Sequence, residues 1–250
     1  MARPKVLVIS GATGLGKTKL AFQLAKKLNG EIVVADAVQI YKTFNVGSNK
    51  PPAAYTENIK YHMLDRYSPS EEVVVHQYAQ DARQCIRDII DRGKVPIVEG
   101  GGCFYLKGMM DLFTERPYSV TDQIREQADE ILLRGKKKTQ LFLKESDPDY
   151  EMTINKEDAY RLRKAVISVL ATGKVGSYRN NWRDTPPEDI PEEFNFDYRS
   201  MYLFMQKPIL SRILDRRCED IIEAGLLTET IKLAKEGLFD QDRSPANAIG

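Results

Sequence analysis

Gly11-Ala12-Thr13-Gly14-Leu15-Gly16-Lys17-Thr18 matches the pattern Gly-x-x-x-x-Gly-Lys-Ser/Thr in full. The segment follows the apolar run Val6–Ile9 and precedes a helical pattern that begins at Thr18. A strand, glycine-rich loop and helix in this order bind phosphate, because backbone N–H groups and the positive end of the helix dipole point at one anion. Lys17 adds a point charge, and the hydroxyl of Thr18 can ligate Mg²⁺. The sequence therefore predicts a di- or triphosphate site formed by all eight residues, with Thr18 as metal ligand.

A carboxylate follows the second strand signal. Glu31–Ala35 has the pattern of a short buried strand, and Asp36 comes directly after it. Ligands of open α/β sheets bind at the carboxyl ends of the strands, so we expect Asp36 to lie beside the phosphate loop. Three roles are open to a carboxylate there: metal ligand, general base, or cap of the next turn.

Two further strand signals complete an α/β pattern. Val95–Val98 runs into Glu99 and three glycines, and Met201–Met205 is the fourth candidate. Pro96 lacks an amide donor, so its strand either starts there or lies near a sheet edge. The glycines form either a tight turn or a point of close approach to a ligand. We predict an α/β fold with a parallel sheet, similar to the P-loop NTPases, as the core of the protein.

The middle of the chain has a different character, with helical patterns and few strand signals. Residues 134–183 contain 12 Lys/Arg against 6 Asp/Glu, a local net charge of +6, with the densest cluster at Lys136–Lys138. Such a run is usually a solvated face, but beside a phosphate site it also suits RNA. We predict a P-loop α/β core of residues 1–114 and 199–250, interrupted at 115–198 by a basic helical insertion that binds RNA.

Composition narrows the class of protein. A 42% share of apolar residues is enough for a sizeable core. Because the net charge is only +1, the chain as a whole has no strong electrostatic attraction to nucleic acid or to an anionic membrane. Three widely spaced cysteines suit a reducing compartment, and two histidines without Cys-x-x-Cys argue against structural zinc. We expect His62 to be a hydrogen-bonded core group. With no apolar run near the roughly 20 residues that span a bilayer, and no leader signal, we expect a cytoplasmic monomer without membrane contacts.

Blocks of residues along nearly the whole chain resemble one family. Asp36-Ala-Val-Gln-Ile-Tyr41 is similar to Asp-Ser-x-Gln-Val-Tyr, and Gly47-Ser-Asn-Lys-Pro51 to Gly-Thr-Ala-Lys-Pro. Pro96-Ile-Val-Glu-Gly-Gly-Gly-Cys-Phe-Tyr105 is similar to Pro-Ile-Leu-Val-Gly-Gly-Thr-Gly-Leu-Tyr. Tyr61–Asp65, Asn155–Leu162, Arg216–Leu226 and the terminal Ala248–Gly250 match further blocks of the same set, and all the blocks follow one another in the same order along the chain. These blocks resemble the tRNA dimethylallyltransferases (isopentenyltransferases) and their relatives that prenylate free adenine nucleotides.

The resemblance implies a reaction and a set of roles. The family transfers a dimethylallyl group from dimethylallyl diphosphate to the exocyclic N6 of adenine, usually in a tRNA anticodon loop. By resemblance, Asp36 is the base, while Lys17, Arg217 and Mg²⁺ on Thr18 neutralise the leaving diphosphate. The expected contacts to the acceptor or its tRNA are Gln39, Tyr41, Lys50, Asp158 and Arg161.

Departures from the family pattern leave alternatives open. Ala37 and Gly102 stand where the family has serine and threonine, and Gln77–Ala82 lacks two arginines of the corresponding block. The nearest alternative is an adenylate isopentenyltransferase acting on AMP, ADP or ATP. A P-loop small-molecule kinase, in which Asp36 activates a hydroxyl, and a catalytically silent RNA-binding relative are the others.

Overall fold

The computed structural model describes residues 3–71, 73, 75–110, 120–148, 158–174 and 195–238. The strands in these ranges are β1 Lys5–Gly11, β2 Gly30–Val34, β3 Tyr61–His62, β4 Val95–Gly100 and β5 Asp197–Leu203. The helices there are α1 Lys17–Leu28, α2 Ala53–Thr56, α3 Val75–Asp91, α4 Cys103–Met110, α5 Asp122–Leu133, α6 Lys136–Ser146, α7 Ala159–Thr172, α8 Lys207–Glu223 and α9 Leu226–Lys235. The chain divides into two compact units, Met1–Phe113 with Pro186–Gly250, and Thr114–Thr185.

The strands form one parallel sheet in the order β3-β2-β4-β1-β5, which confirms the predicted α/β core. β4 lies between β2 and β1, so the expectation that Pro96 lies near an edge is wrong and the expectation of a strand start is right. The fourth strand begins earlier than predicted, at Asp197, because it pairs with the full length of β1 from Lys5 onward. β3 was not predicted, since two residues are too few to show a periodic pattern.

Both faces of the sheet are covered by helices. Alternate residues of β2 point to opposite faces, and each face has its own apolar cluster. Ile32 and Val34 share one cluster with Ala21 and Ala25 of α1. Val33 belongs to the other cluster, which includes the apolar side of α3. This two-sided cover explains why β2 is buried along its whole length.

The second unit contains three helices in its described part, α5, α6 and α7, which share an apolar cluster of their own. The predicted helices at 124–133 and 162–170 correspond to α5 and α7. This unit spans Thr114–Thr185, whereas the predicted insertion spans residues 115–198. That the insertion binds RNA stays a prediction. Across the described residues, no helix has the length and apolar character needed to cross a membrane.

Candidate active site

The phosphate loop joins the end of β1 to the start of α1, as the sequence predicted. Gly14 and Gly16 have φ angles of 81° and 77°, in the left-handed region that favours glycine. A Cβ at Gly14 would lie 3.0 Å from Cδ2 of Leu214, so α8 packs directly over the loop. Gly16 caps α1, and the N–H of Leu20 donates to its carbonyl at 3.0 Å.

Lys17 is the first residue of α1, and its side chain turns back over the loop. Nζ donates to the carbonyl oxygen of Ala12 at 2.9 Å. Burial lowers the pKa of Lys17, while the nearby carboxylates of Glu99 and Asp36 oppose that shift. A Cβ at Gly101 would lie 3.6 Å from Nζ, an ordinary van der Waals distance, so the glycine turn after β4 lies directly beside the ammonium. The loop thus presents a positive charge at the carboxyl edge of the sheet.

Asp36 lies just beyond the end of β2, at the same edge. Its Oδ1 accepts hydrogen bonds from the backbone N–H groups of Val38 at 2.9 Å and Gln39 at 3.2 Å. Within the described part of the chain, hydrogen bonds reach Oδ1 only. Of the three roles open to this carboxylate, the structure therefore shows the turn cap. Oδ2 remains available for contact with a ligand.

Glu99 is a buried carboxylate at this edge that the sequence analysis did not single out. It is the fifth residue of β4 and is only 3% exposed. Thr18 Oγ1 donates to it, at 3.2 Å from Oε1 and 3.4 Å from Oε2. Burial raises the pKa of Glu99 to about 7. A glutamate directly after an apolar strand was the signal that could have found it.

Arg217 comes from α8, far along the chain, yet it contacts the phosphate loop. Its Nη1 donates to Oγ1 of Thr13. The guanidinium lies close enough to Lys17 to contribute to the lowering of that residue's pKa. The structure thus brings Arg217, Lys17, Asp36 and Glu99 to one edge of the sheet.

A cavity of about 700 Å³ opens beside Arg217. Its lining includes Asn45, Lys50, Asp65 and Asp220. Of the residues predicted to contact the acceptor, Lys50 lies on this cavity. Its Nζ donates to the carbonyl oxygen of Tyr41 at 2.8 Å and pairs with Asp65 at 2.5 Å.

Gln39 and Tyr41 lie inside the protein. Gln39 is 8% exposed, and its Nε2 donates to the carbonyl oxygens of Ser48 and Asn49 at 3.0 and 3.1 Å. Tyr41 is fully buried, and its hydroxyl accepts a hydrogen bond from the N–H of Val73 at 3.2 Å. Both side chains hold the loop after Asp36 in this conformation, and their contact with an acceptor stays a prediction.

Asp158 and Arg161 belong to the second unit, at the start of α7. The carboxylate of Asp158 accepts the N–H of Arg161 at 2.9 Å and thereby caps the helix. The two side chains also form an ion pair, with 3.2 Å between Nε and Oδ2. Their predicted contact with the acceptor stays a prediction.

The donor atoms around Thr18 fit the predicted Mg²⁺. The Thr18 hydroxyl and the Glu99 carboxylate are hard oxygen donors, the type that Mg²⁺ prefers. Mg²⁺ at phosphate sites takes one or two protein oxygens and completes its shell with phosphate oxygens and water. Among the described residues, no group of three or more His, Cys, Asp or Glu side chains could hold a metal ion.

The family model and the relatives that match this chain are described as IPP transferase or tRNA dimethylallyltransferase. A family model described as IPP transferase matches residues 39–250. The tRNA dimethylallyltransferase 9 of Arabidopsis thaliana is 32% identical, over 99% of this chain and 60% of the relative. The tRNA dimethylallyltransferase of Desulfitobacterium hafniense (strain Y51) is 34% identical, over 98% of this chain and 76% of the relative. The chain thus spans less than two thirds of the plant relative and about three quarters of the bacterial one.

Solved structures give the same result for the fold. The full-length tRNA isopentenylpyrophosphate transferase from Bacillus halodurans superposes with a TM-score of 0.65 at 25% identity, over 99% of this chain and 75% of that protein. A eukaryotic dimethylallyltransferase acting on tRNA superposes with a TM-score of 0.72 at 28% identity, over 93% of this chain and 56% of that one.

Proposed function

Because the chain belongs to the IPP transferase family, we propose that it transfers a dimethylallyl group from dimethylallyl diphosphate to N6 of an adenine in tRNA. One observation carries the proposal: the phosphate loop, the cationic side chains of Lys17 and Arg217, and the half-buried carboxylate of Asp36 lie at one edge of the sheet. The cations suit a diphosphate, and the carboxylate suits a nucleophile that must lose a proton.

The donor's diphosphate is held by the N–H groups of the loop, by Lys17 and by Arg217. As the carbon–oxygen bond of the donor breaks, negative charge grows on the departing diphosphate, and these groups are already in position to stabilise it. Arg217 reaches the loop through its hydrogen bond to Thr13. A divalent cation, which we propose to be Mg²⁺ on Thr18, adds positive charge at the same leaving group when it is bound.

Asp36 serves as the base for the acceptor. The exocyclic amine of adenine is a poor nucleophile, so it needs a positioned base while the new carbon–nitrogen bond forms. The proton leaves N6 for Oδ2 of Asp36, and the diphosphate departs with the electron pair of the broken carbon–oxygen bond. The two N–H groups on Oδ1 keep the carboxylate in one orientation throughout this step.

The lysines of the second unit support tRNA as the acceptor. Lys136, Lys137 and Lys138 are exposed at the start of α6. Cations at a helix N-terminus interact unfavourably with the helix dipole. A polyanion bound across them removes that conflict, and its binding should weaken as salt is raised.

The proposed enzyme acts as a monomer in the cytoplasm.

A transfer assay tests the proposal. Labelled dimethylallyl diphosphate and Mg²⁺ are offered to the protein with unmodified tRNA and, in parallel, with AMP, ADP and ATP. Label in tRNA is the expected result. Label in a free nucleotide would keep the chemistry and overturn the acceptor, whereas phosphoryl transfer without prenyl transfer would favour the kinase. Donor binding and RNA binding without turnover would indicate a silent relative.

The Asp36→Asn variant tests the base. Asparagine keeps the oxygen that accepts from Val38 and Gln39, so the turn survives, but the basic second oxygen is lost. We expect transfer to fall by about 10²-fold or more while donor binding is unchanged. The matched control is Asp91→Asn, at an exposed aspartate at the end of α3, which should keep full activity. Unchanged turnover in Asp36→Asn would remove Asp36 from the mechanism.

A further inference from the structure

Glu99 is a buried carboxylate whose charge has little compensation. Among the described residues, the hydroxyl of Thr18 is the only group that donates a hydrogen bond to its side chain. Lys17 lies nearby, but its ammonium donates to the Ala12 carbonyl. Burying a carboxylate without a cationic partner lowers the free energy of unfolding, so Glu99 does not serve the stability of the fold. Such a local conflict is typical of a functional position.

The hydrogen bond to Glu99 sets the direction of the Thr18 hydroxyl. A threonine hydroxyl has one proton and two lone pairs. Because the proton is directed at the Glu99 carboxylate, the lone pairs of Oγ1 point elsewhere, toward any cation that approaches the loop. The carboxylate itself places negative charge within 3.2 Å of that oxygen.

This turn of the chain also differs from the family block that it resembles. In that block a valine occupies the position of Glu99, and a threonine occupies the position of Gly102. The chain therefore lacks one hydroxyl at the turn and carries one carboxylate that the block lacks. Glu99 is the fifth residue of β4 and contacts Thr18 of α1, and Gly102 lies just after the end of the same strand.

We propose that Glu99 is the acidic group of a divalent-cation site at Thr18: it holds the Thr18 hydroxyl in the ligating orientation and balances the charge of the ion. The site takes Mg²⁺ or Mn²⁺, because hydroxyl and carboxylate oxygens suit these hard cations. The diphosphate of the donor supplies further oxygens, so this inference rests on the proposed function for the identity of the bound anion. It does not depend on which acceptor is prenylated.

Binding of Mn²⁺, followed by electron paramagnetic resonance in the presence of inorganic pyrophosphate, tests the site without relying on turnover. We expect Glu99→Gln and Glu99→Val to lower Mn²⁺ affinity at least about tenfold, as for groups that orient a metal ligand. Without metal, pyrophosphate should bind both variants at least as tightly as it binds the wild type, since a negative charge near the anion has been removed. Glu57→Gln, at an exposed glutamate after α2, is the matched control and should bind Mn²⁺ normally.

Glutamine has nearly the shape of glutamate, and valine restores the residue of the family block, so both variants should fold; thermal unfolding checks this. Equal Mn²⁺ affinity in wild type and both variants overturns the cation site, even if tRNA is prenylated normally. A Glu99-dependent affinity without any prenyl transfer by the wild type supports the cation site and overturns the proposed function. The two failures are therefore distinct.

Discussion

Two glutamates on neighbouring strands are buried almost equally but have opposite surroundings. Glu31, near the start of β2, is 2% exposed, and Glu99, near the end of β4, is 3% exposed. Glu31 has three partners: His62 at 2.6 Å, Arg92 at 2.5 Å and Lys94 at 2.8 Å. These partners outweigh the effect of burial and lower its pKa to about 2. Glu99 has one hydroxyl, and burial raises its pKa to about 7.

The two ends of the sheet therefore differ in the partners that a buried carboxylate finds there. The two side chains are almost equally inaccessible to solvent. The cationic partners of Glu31 favour its ionised form despite burial, whereas burial disfavours the ionised form of Glu99. At the amino ends of the strands, Arg92 and Lys94 in the connection between α3 and β4 compensate the charge of Glu31 and link that connection to β2. At the carboxyl ends, the described residues give Glu99 only the Thr18 hydroxyl as a hydrogen-bond partner, and we propose that a bound cation balances its charge.

The largest expected effect on stability is that of Glu31→Gln. A pKa that falls from 4.5 to about 2 corresponds to about 3 kcal/mol. Arg92 and Lys94 are 41% and 38% exposed, so solvent screening reduces the expected loss of unfolding free energy to about 2 kcal/mol. Urea denaturation at pH 7 measures it.

Glu99→Gln is the matched variant, and it should leave the unfolding free energy unchanged or raise it, because a buried charge is removed. If both variants lost the same free energy of unfolding, the contrast between the two ends of the sheet would be wrong.

Acid titration of stability should show the same contrast as a function of pH. The pKa of Glu31 is depressed in the folded state, so its contribution is fully present above about pH 4.5 and is lost as the pH falls toward 2. The difference in unfolding free energy between wild type and Glu31→Gln should therefore be largest above about pH 5, shrink as the pH falls from about 4.5 and vanish below about pH 2. Denaturation curves at several pH values check it, and a difference as large near pH 2 as at pH 7 would contradict the assignment.

A third glutamate provides an intermediate case with a smaller expected effect. Glu229 of α9 accepts hydrogen bonds from the backbone N–H groups of Asn45, Val46 and Gly47 at 2.7 to 3.0 Å. These donors are neutral, so Glu229→Gln should cost only about 1 kcal/mol of unfolding free energy.

The local effect of Glu229→Gln should exceed its global one. Hydrogen exchange of the amides at 45–47 should accelerate, while exchange in β1 and β4 should not change. Thr230→Ala, which removes a neighbouring hydroxyl that bonds within α9, is the control for damage to the helix. Unchanged exchange at 45–47 would show that Glu229 does not hold the loop.

Local signals predicted much of the fold. The order of strand, glycine loop and helix predicted β1, the loop and α1, and the position of Asp36 followed from the rule for carboxyl ends of strands. His62 was expected to be a hydrogen-bonded core group, and its bond to Glu31 agrees with that. Such signals could not predict the two-residue strand β3 or the interior positions of Gln39 and Tyr41. None of these features shows a periodic pattern in the sequence, and all of them depend on which loops pack together.

The sequence by itself determined the phosphate loop, the parallel α/β class and the family, because each is carried by residue types at fixed spacing along the chain. Only the tertiary structure decided which distant side chains meet. Thr18 and Glu99 are 81 positions apart, and Thr13 and Arg217 are 204 apart. Their contacts depend on β4 lying between β2 and β1, and on α8 packing over Gly14. Strand order and helix packing are set by how apolar faces fit together across the whole core, which no local spacing records.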